Sequence, residues 1–327
     1  MSNQLPISLG LAAAAALASS ILIAGGFQFS QRKTVEAIAP LEKQPTFEHE
    51  YCMMLRNADM KDVDLSDTAL FAALGNVTNS AHFSPTSLIV GANKGATTGD
   101  GVTTDPAFTS LLRDVRFALW SKVFVEPIPS IYAALKANIA ATGTHKVAVA
   151  VNAAVTDRDS RLPMFCWKLD ADGNIDYAAF AALGLKAHSW MAGTCSLSKE
   201  RLFSAYDFSV FSSLAASDRE RLLLQEVEVT GLTFSSIMRS VGLPLDTVKY
   251  LQIDAEGHDA VLIHLLPWGG TILGAQNFQP ALINFESVLL STDDISSISS
   301  LLTRVGYKNR ANTHQTMLWA YSACDTL

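Results

Sequence analysis

From residue 85 onward the chain alternates short apolar runs with amphipathic segments, and that rhythm leaves few folds open. Ser87 to Val90, Val123 to Val125 and Lys146 to Val151 are runs too short for helices and rich in strand-forming residues. Between the first two, Asp105-Pro106 starts a helix, with the acid as cap and proline in the first turn, and the helix runs to about Trp120. Between the next two, Ser130 caps a helix that puts Ile131, Leu135 and Ile139 on one face. Further on, Glu226–Val229, Val248–Ile253, Ala281–Phe285 and Thr316–Tyr321 read as strands. Thr233–Val241, closed by Gly242 and Pro244, and Ile295–Val305, ending at Gly306, read as helices. Strands separated by helices need crossover connections, so the fold class is α/β, with a mostly parallel sheet covered by helices on both faces. Residues 158–225 are Ala- and Ser-rich with scattered aromatics; they break the rhythm and read as a long insertion.

The chain has 327 residues, of which 49% are hydrophobic and only 17% charged. The formal net charge of -7 argues against a nucleic-acid partner, which needs a basic face to release counterions. The excess of apolar residues calls for either one large core or a core plus a membrane segment. Ile7 to Phe29 supplies the second: it is uncharged, Ala-, Leu- and Ile-rich, and roughly 23 residues long, enough to span a bilayer as a helix. Arg32 and Lys33 follow it directly. It reads as a single-pass anchor. A cleaved signal with its site near Ala16-Leu17-Ala18, a transit segment and a buried helix are the alternatives. The positive charge after the segment points to a cytosolic C-terminal side, whereas the sequon Asn76-Val77-Thr78 points to a lumen. The expected location is a membrane, with an endomembrane favoured and the side open. The expected layout is an anchor or signal segment at 1–33, a stem and helical lead-in at 34–84, and one enlarged domain at 85–327.

The four cysteines, Cys52, Cys166, Cys195 and Cys324, include no C-x-x-C pair, which disfavours a structural zinc site. They read as buried small hydrophobes. In an oxidising lumen one or two bridges would form instead, with Cys166 and Cys195, which bracket a single segment, as the pair to expect.

Three stretches carry chemistry. Val90-Gly91-Ala92-Asn93-Lys94-Gly95 closes the first strand with a glycine turn. Such a turn lets a ligand approach bare backbone, with free N–H groups and a helix start facing an anionic group. Both the nicotinamide G-x-G-x-x-G and the P-loop ending are missing. Glu126 ends the second strand, where an acid can accept two ribose hydroxyl bonds. The most specific stretch is Leu251-Gln252-Ile253-Asp254-Ala255-Glu256-Gly257-His258-Asp259, an apolar strand running straight into acids. Ligands of open parallel sheets bind at such strand ends. Each stretch also has a plainer reading: a tight turn, a solvated strand end, and a helix cap with a surface histidine. A metal site is not expected, because no second ligand cluster accompanies the acids.

Taken in order, VGANKG, VFVEPIPSIYAALKANI, VNAAVTD, LQIDAEGHDAVL, INFES and LLTRVGY resemble the FkbM-type S-adenosylmethionine-dependent methyltransferases over about residues 85–322, the insertion apart. The resemblance implies the class I methyltransferase (Rossmann-like) fold, a seven-stranded sheet whose last strand is antiparallel. It implies S-adenosyl-L-methionine as cofactor. Gly91, Ala92, Asn93 and Gly95 would surround its methionine part, Glu126 would hold its ribose, and Asn152 and the Ala154–Asp157 turn would lie near its adenine. Asp254 and Glu256 would face the methyl group and the acceptor, Asp254 as base or orienting acid, with His258 as the alternative base. The implied reaction is O-methylation of a hydroxyl on a sugar, glycan or lipid-linked acceptor. The sequence departs from the family at Ile89, where an acid usually stands two residues before the first glycine. It departs again at Thr233, where the strand before the D-x-E-G unit often carries an acid, and in the length of the insertion. The competing reading is a non-catalytic membrane-anchored binding module on the same fold, which Ile89 motivates. A Rossmann oxidoreductase is disfavoured by the missing glycine fingerprint.

Overall fold

The computed structural model describes residues 85–95, 111–112, 117–143, 148–170, 175–204, 215–268, 278–312 and 316–321. The expected anchor and stem, the sequon, the helix start at Asp105 and the cysteines Cys52 and Cys324 lie outside these residues. No helix among the described residues is long and apolar enough to cross a membrane.

The fold is mixed α/β and built on two sheets. The larger has seven strands: β1 (Thr86–Val90), β2 (Ser121–Val125), β3 (Ala148–Val151), β8 (Val248–Ile253), β9 (Leu282–Glu286), β10 (Tyr307–Asn312) and β11 (Thr316–Tyr321), in the order β10-β11-β9-β8-β1-β2-β3. Neighbours from β3 to β9 pair in parallel, and β11 runs antiparallel to both β9 and β10. The order turns around at β1, which pairs with β2 on one side and β8 on the other. That is a topological switch point, where the carboxyl ends of neighbouring strands splay and leave a crevice.

Burial explains why these runs are strands. All six residues of β8 are buried, as a central parallel strand requires. One face of the sheet, including Leu88, Val90, Leu251, Ile253, Ile283 and Phe285, packs with three helices: α5 (Phe234–Ser240) through Ile237, α6 (Asp259–Leu265) through Leu262 and Ile263, and α7 (Thr292–Arg304) through Ile298 and Leu302. The alternate residues Ile89, Phe124 and Leu282 are buried as well, so the opposite face is also covered. Each such apolar side chain contributes about 1.5–3 kcal/mol on burial.

Several expectations need correcting. Helix α1 (Pro129–Ala141) buries Ile131, Leu135 and Ile139 as expected, but Ser130 does not cap it. Its N-cap is Ile128 with proline in the first turn, and the Ile128 N–H is taken by Glu126 Oε1 at 2.9 Å. The helix expected to reach Trp120 stops earlier, because Phe117–Trp120 is a turn, with both end carbonyls accepting from the buried Lys122 ammonium. The strand near 226–229 is longer, β7 (Leu224–Leu232), and belongs to the other sheet. The seventh strand of the main sheet is β10 instead, which the sequence reading missed. Its sequence YKNRAN has no apolar alternation because it is an edge strand.

The long insertion is an organised layer. Strands β4 (Ala154–Val155), β5 (Ser160–Trp167), β6 (Cys195–Ser196) and β7 form a four-stranded sheet in the order β4-β7-β5-β6. Short helices α2 (Tyr177–Ala182), α3 (Lys199–Ser204) and α4 (Ala216–Leu223) accompany it. Trp167, Phe180, Met191, Phe203 and Leu223 make its own apolar core. Cys166 and Cys195 are bonded to each other, so the bridge replaces the reading of these two as free buried thiols. The expected Ala154–Asp157 turn is corrected too: its first two residues are strand β4.

Candidate functional site

The crevice at the switch point is a cleft. Its walls come from the ends of β1 (Val90, Gly91, Asn93), β2 (Val125 to Ile128) and β8 (Asp254 to Glu256, His258), and from the second sheet (Ala154, Met164, Gly193, Cys195, Leu197). Gly91 lies where the chain leaves β1, with φ +76. The Asp254 N–H donates to the Val90 carbonyl at 3.0 Å, and a Cβ on Gly91 would overlap the Asp254 carbonyl. Only glycine fits there.

The turn does not present free N–H groups, as the sequence had suggested. The Gly91 and Ala92 N–H groups both donate to the Val125 carbonyl at 3.0 Å, because β2 ends directly beside them. The Asn93 N–H donates to Glu126 Oε2 at 3.0 Å, with Asn93 in the left-handed region at φ 50. Glu126 therefore accepts one backbone N–H on each oxygen, from Asn93 and from Ile128. Each oxygen keeps a second lone pair for a ligand hydroxyl. Burial pushes the Glu126 carboxyl up to about 7, against the opposing pull of those two bonds.

The acid run opens directly from β8. Glu256 is the second non-glycine residue of the site in the left-handed region, at φ 51. A residue other than glycine held there costs about 1–3 kcal/mol, and such strain concentrates at functional sites. Burial, then the charges of Asp254 and Asp259, push the Glu256 carboxyl well above the usual range, while a hydrogen bond from the Thr194 side chain pulls it down. Asp259, fully buried at the start of α6, is also raised by burial and then by Asp254. Glu286, at the end of β9, is raised by burial and by Asp254, Glu256 and Asp259. Asp259 Oδ1 and Glu286 Oε2 are buried with no hydrogen-bond partner among the described residues, which suits acids that keep their protons. His258 is the N-cap residue of α6, and burial followed by the nearby Arg201 lowers its pKa, so it is neutral at physiological pH.

Of the residues singled out in the sequence, Gly91, Asn93, Glu126, Asp254, Glu256 and His258 meet in this cleft. Ala92, Gly95, Asn152 and Asp157 are not among its walls. Ala92 is buried beneath the turn, and Gly95 closes it through its N–H to the Ala92 carbonyl at 3.2 Å. Asn152 is a support: its Nδ2 donates to the Glu126 and Pro127 carbonyls, each at 2.9 Å. Asp157 is exposed in a bend beyond β4. Thr233 is the N-cap of α5, and its N–H is held by Asp159 Oδ1 at 3.0 Å. Sequence reasoning missed Met164, Gly193, Thr194, Leu197 and Glu286 and gave no site role to Cys195 or to Asp259 at the end of the acid run. The cysteine pair was the one signal that could have led to the second-sheet residues. Among the described residues no group of three or more His, Cys, Asp or Glu is arranged to hold a metal ion.

Among the described residues, three acids and no lysine or arginine line the cleft. Its field favours a cationic or hydroxyl-rich ligand over an anionic one. No protein-family model, no curated protein and no solved structure matches the chain.

Proposed function

We propose that the chain is an S-adenosylmethionine-dependent methyltransferase of the FkbM type, acting on a hydroxyl of a sugar, glycan or lipid-linked acceptor. The observation that carries this is the meeting of Gly91, Glu126, Asp254 and Glu256 in one acid-lined cleft at the switch point. The strand order, with the last strand reversed, supports the class I assignment.

The residues present fit the cofactor. Glu126 has lone pairs for the ribose hydroxyls, and the acids beside it suit a positive ligand. When bound, the cofactor supplies a methyl group on a sulfonium, already a good leaving group. What remains for the protein is orientation and a proton. Asp254, fixed by its N–H bond to Val90, orients the acceptor hydroxyl and takes its proton. Glu256 supports it, and neutral His258 is the alternative base. A positioned base contributes about 10²–10⁴-fold, and good alignment roughly 7–11 kcal/mol. Residues 1–33 complete the proposal as a single-pass anchor in an endomembrane, with 34–84 as stem.

A second reading, a binding module without catalysis, is favoured by one observation: Ile89, where the resemblance calls for an acid, is buried in β1. Methyl-labelled cofactor offered with pooled sugars, glycans and lipids separates the readings. Label transferred into a product that survives alkali, as an ether does, is the expected result. Label released by alkali marks a carboxyl acceptor and overturns the hydroxyl reading. Cofactor binding with no transfer supports the second.

A further inference from the structure

We propose that the strip Gly193–Leu197 of the second sheet is a working part of the cleft, in which Thr194 and Ser196 are positioning residues for Glu256 and the Cys166–Cys195 bond fastens them in place. The placement stands on the geometry alone, and the binding readout below rests on the cofactor reading. Thr194 and Ser196 are both buried, so their hydroxyls need partners inside the protein. Both reach Glu256. The Thr194 hydroxyl bonds the Glu256 carboxylate, and Ser196 Oγ donates to the Glu256 carbonyl at 3.3 Å. One strip thus grips both ends of the residue whose left-handed backbone aims it into the cleft. Glu256 lies before the first turn of α6, so no helix holds it there.

Cys195 stands between the two hydroxyl residues and is bonded to Cys166 of β5. Strand β6 is only two residues long and meets β5 at two positions, so backbone pairing alone is a weak fastening. A dithiol reductant can open it through the cleft, which Cys195 lines. One thiolate attacks Cys195 Sγ and Cys166 leaves as a thiolate. The second thiol then resolves the mixed disulfide. The protein gains two electrons and two protons as two thiols, and the reductant ends as its own disulfide.

The test uses the full chain and three states: Thr194→Val, Thr194→Ser, and wild type reduced with dithiothreitol, with Cys166→Ala/Cys195→Ala as the covalent control. S-adenosylmethionine affinity is measured against pH. The Glu256 carboxyl is faced by Glu126 beyond β2, Asp254 and Asp259 on its own segment and Glu286 on β9, with Arg201 of α3 beside the neighbouring Gly257 and acting on His258, so the difference from wild type is what counts. Thr194→Val removes a donor that favours the ionised form. Affinity should fall about tenfold and its pH midpoint should move up, with both restored in Thr194→Ser. Reduced wild type and the double cysteine variant should shift in the same direction. Unchanged affinity and midpoint in Thr194→Val, or no rescue by serine, overturns the positioning role. An effect of dithiothreitol that persists in the double cysteine variant assigns it to other cysteines and overturns the fastening. If the oxidised wild type binds no cofactor, the cofactor reading fails and amide exchange at Gly257 and His258 decides instead. Faster exchange in Thr194→Val upholds the inference, and unchanged exchange ends it.

Discussion

Replacing Gly91 with alanine is expected to cost roughly 2–5 kcal/mol and to abolish ligand binding in whatever protein still folds. Two physical terms add. A side chain at φ +76 costs about 1–2 kcal/mol by itself. The new Cβ would also overlap the Asp254 carbonyl, a backbone atom that cannot turn aside. Relief means prising the end of β1 from β8 and breaking the Asp254 N–H to Val90 bond, for which overpacking costs of about 1–3 kcal/mol are typical. A domain with 5–15 kcal/mol of stability in all has little margin for that. Gly143 supplies the control. It sits at φ +71 with nothing near its missing Cβ, so Gly143→Ala should show the backbone cost alone. Urea denaturation of the two variants measures the difference. Equal midpoints would mean that β1 and β8 do not approach as described.

Asp254→Asn is expected to lower turnover by about 10²–10⁴-fold while changing cofactor affinity by no more than about tenfold. The exchange keeps shape and backbone bonding and removes only the charge. Because that charge helps raise Glu126, Glu256, Asp259 and Glu286, removing it should lower the pKa of each. The variant therefore has a signature beyond lost activity: the pH midpoint of ligand binding moves down. Full turnover with an unmoved midpoint would take Asp254 out of the chemistry and leave His258 as the base.

The main sheet was legible where burial on two faces makes a strand mostly apolar. Val248–Ile253 and Thr316–Tyr321 were read to the residue. Edge strand Tyr307–Asn312 was not, since solvent allows polar residues there. The start of α1 was misread because no serine caps it: the helix begins at Pro129 behind Ile128, whose N–H is held by Glu126. Half of the cleft was legible because parallel strands deliver their terminal residues to one edge, which is why Gly91, Glu126, Asp254 and Glu256 could be named in advance. The other half comes from β5 and β6, which reach the cleft only by pairing across long stretches of chain. No local periodicity reports that pairing. Covalent chemistry does, and the Cys166–Cys195 spacing was its trace. The shifts of the acids were likewise not legible, since they come from burial and from one another.

The central claim is that this acidic cleft binds S-adenosylmethionine with Glu126 on the ribose. Burial sets Glu126 near 7, above its free value of 4.5, so for folding its contribution is full below about 4.5 and is lost as pH rises through about 7. A ligand that donates hydroxyl bonds and carries a sulfonium favours the ionised form, so binding runs the other way. Calorimetric titration of the full chain at pH 5.5 and 7.5 measures this directly. The account predicts saturable heat, an affinity about tenfold higher at pH 7.5, and a flattened pH dependence in Glu126→Gln. No heat at millimolar cofactor, or an affinity that falls between those pH values, would contradict it.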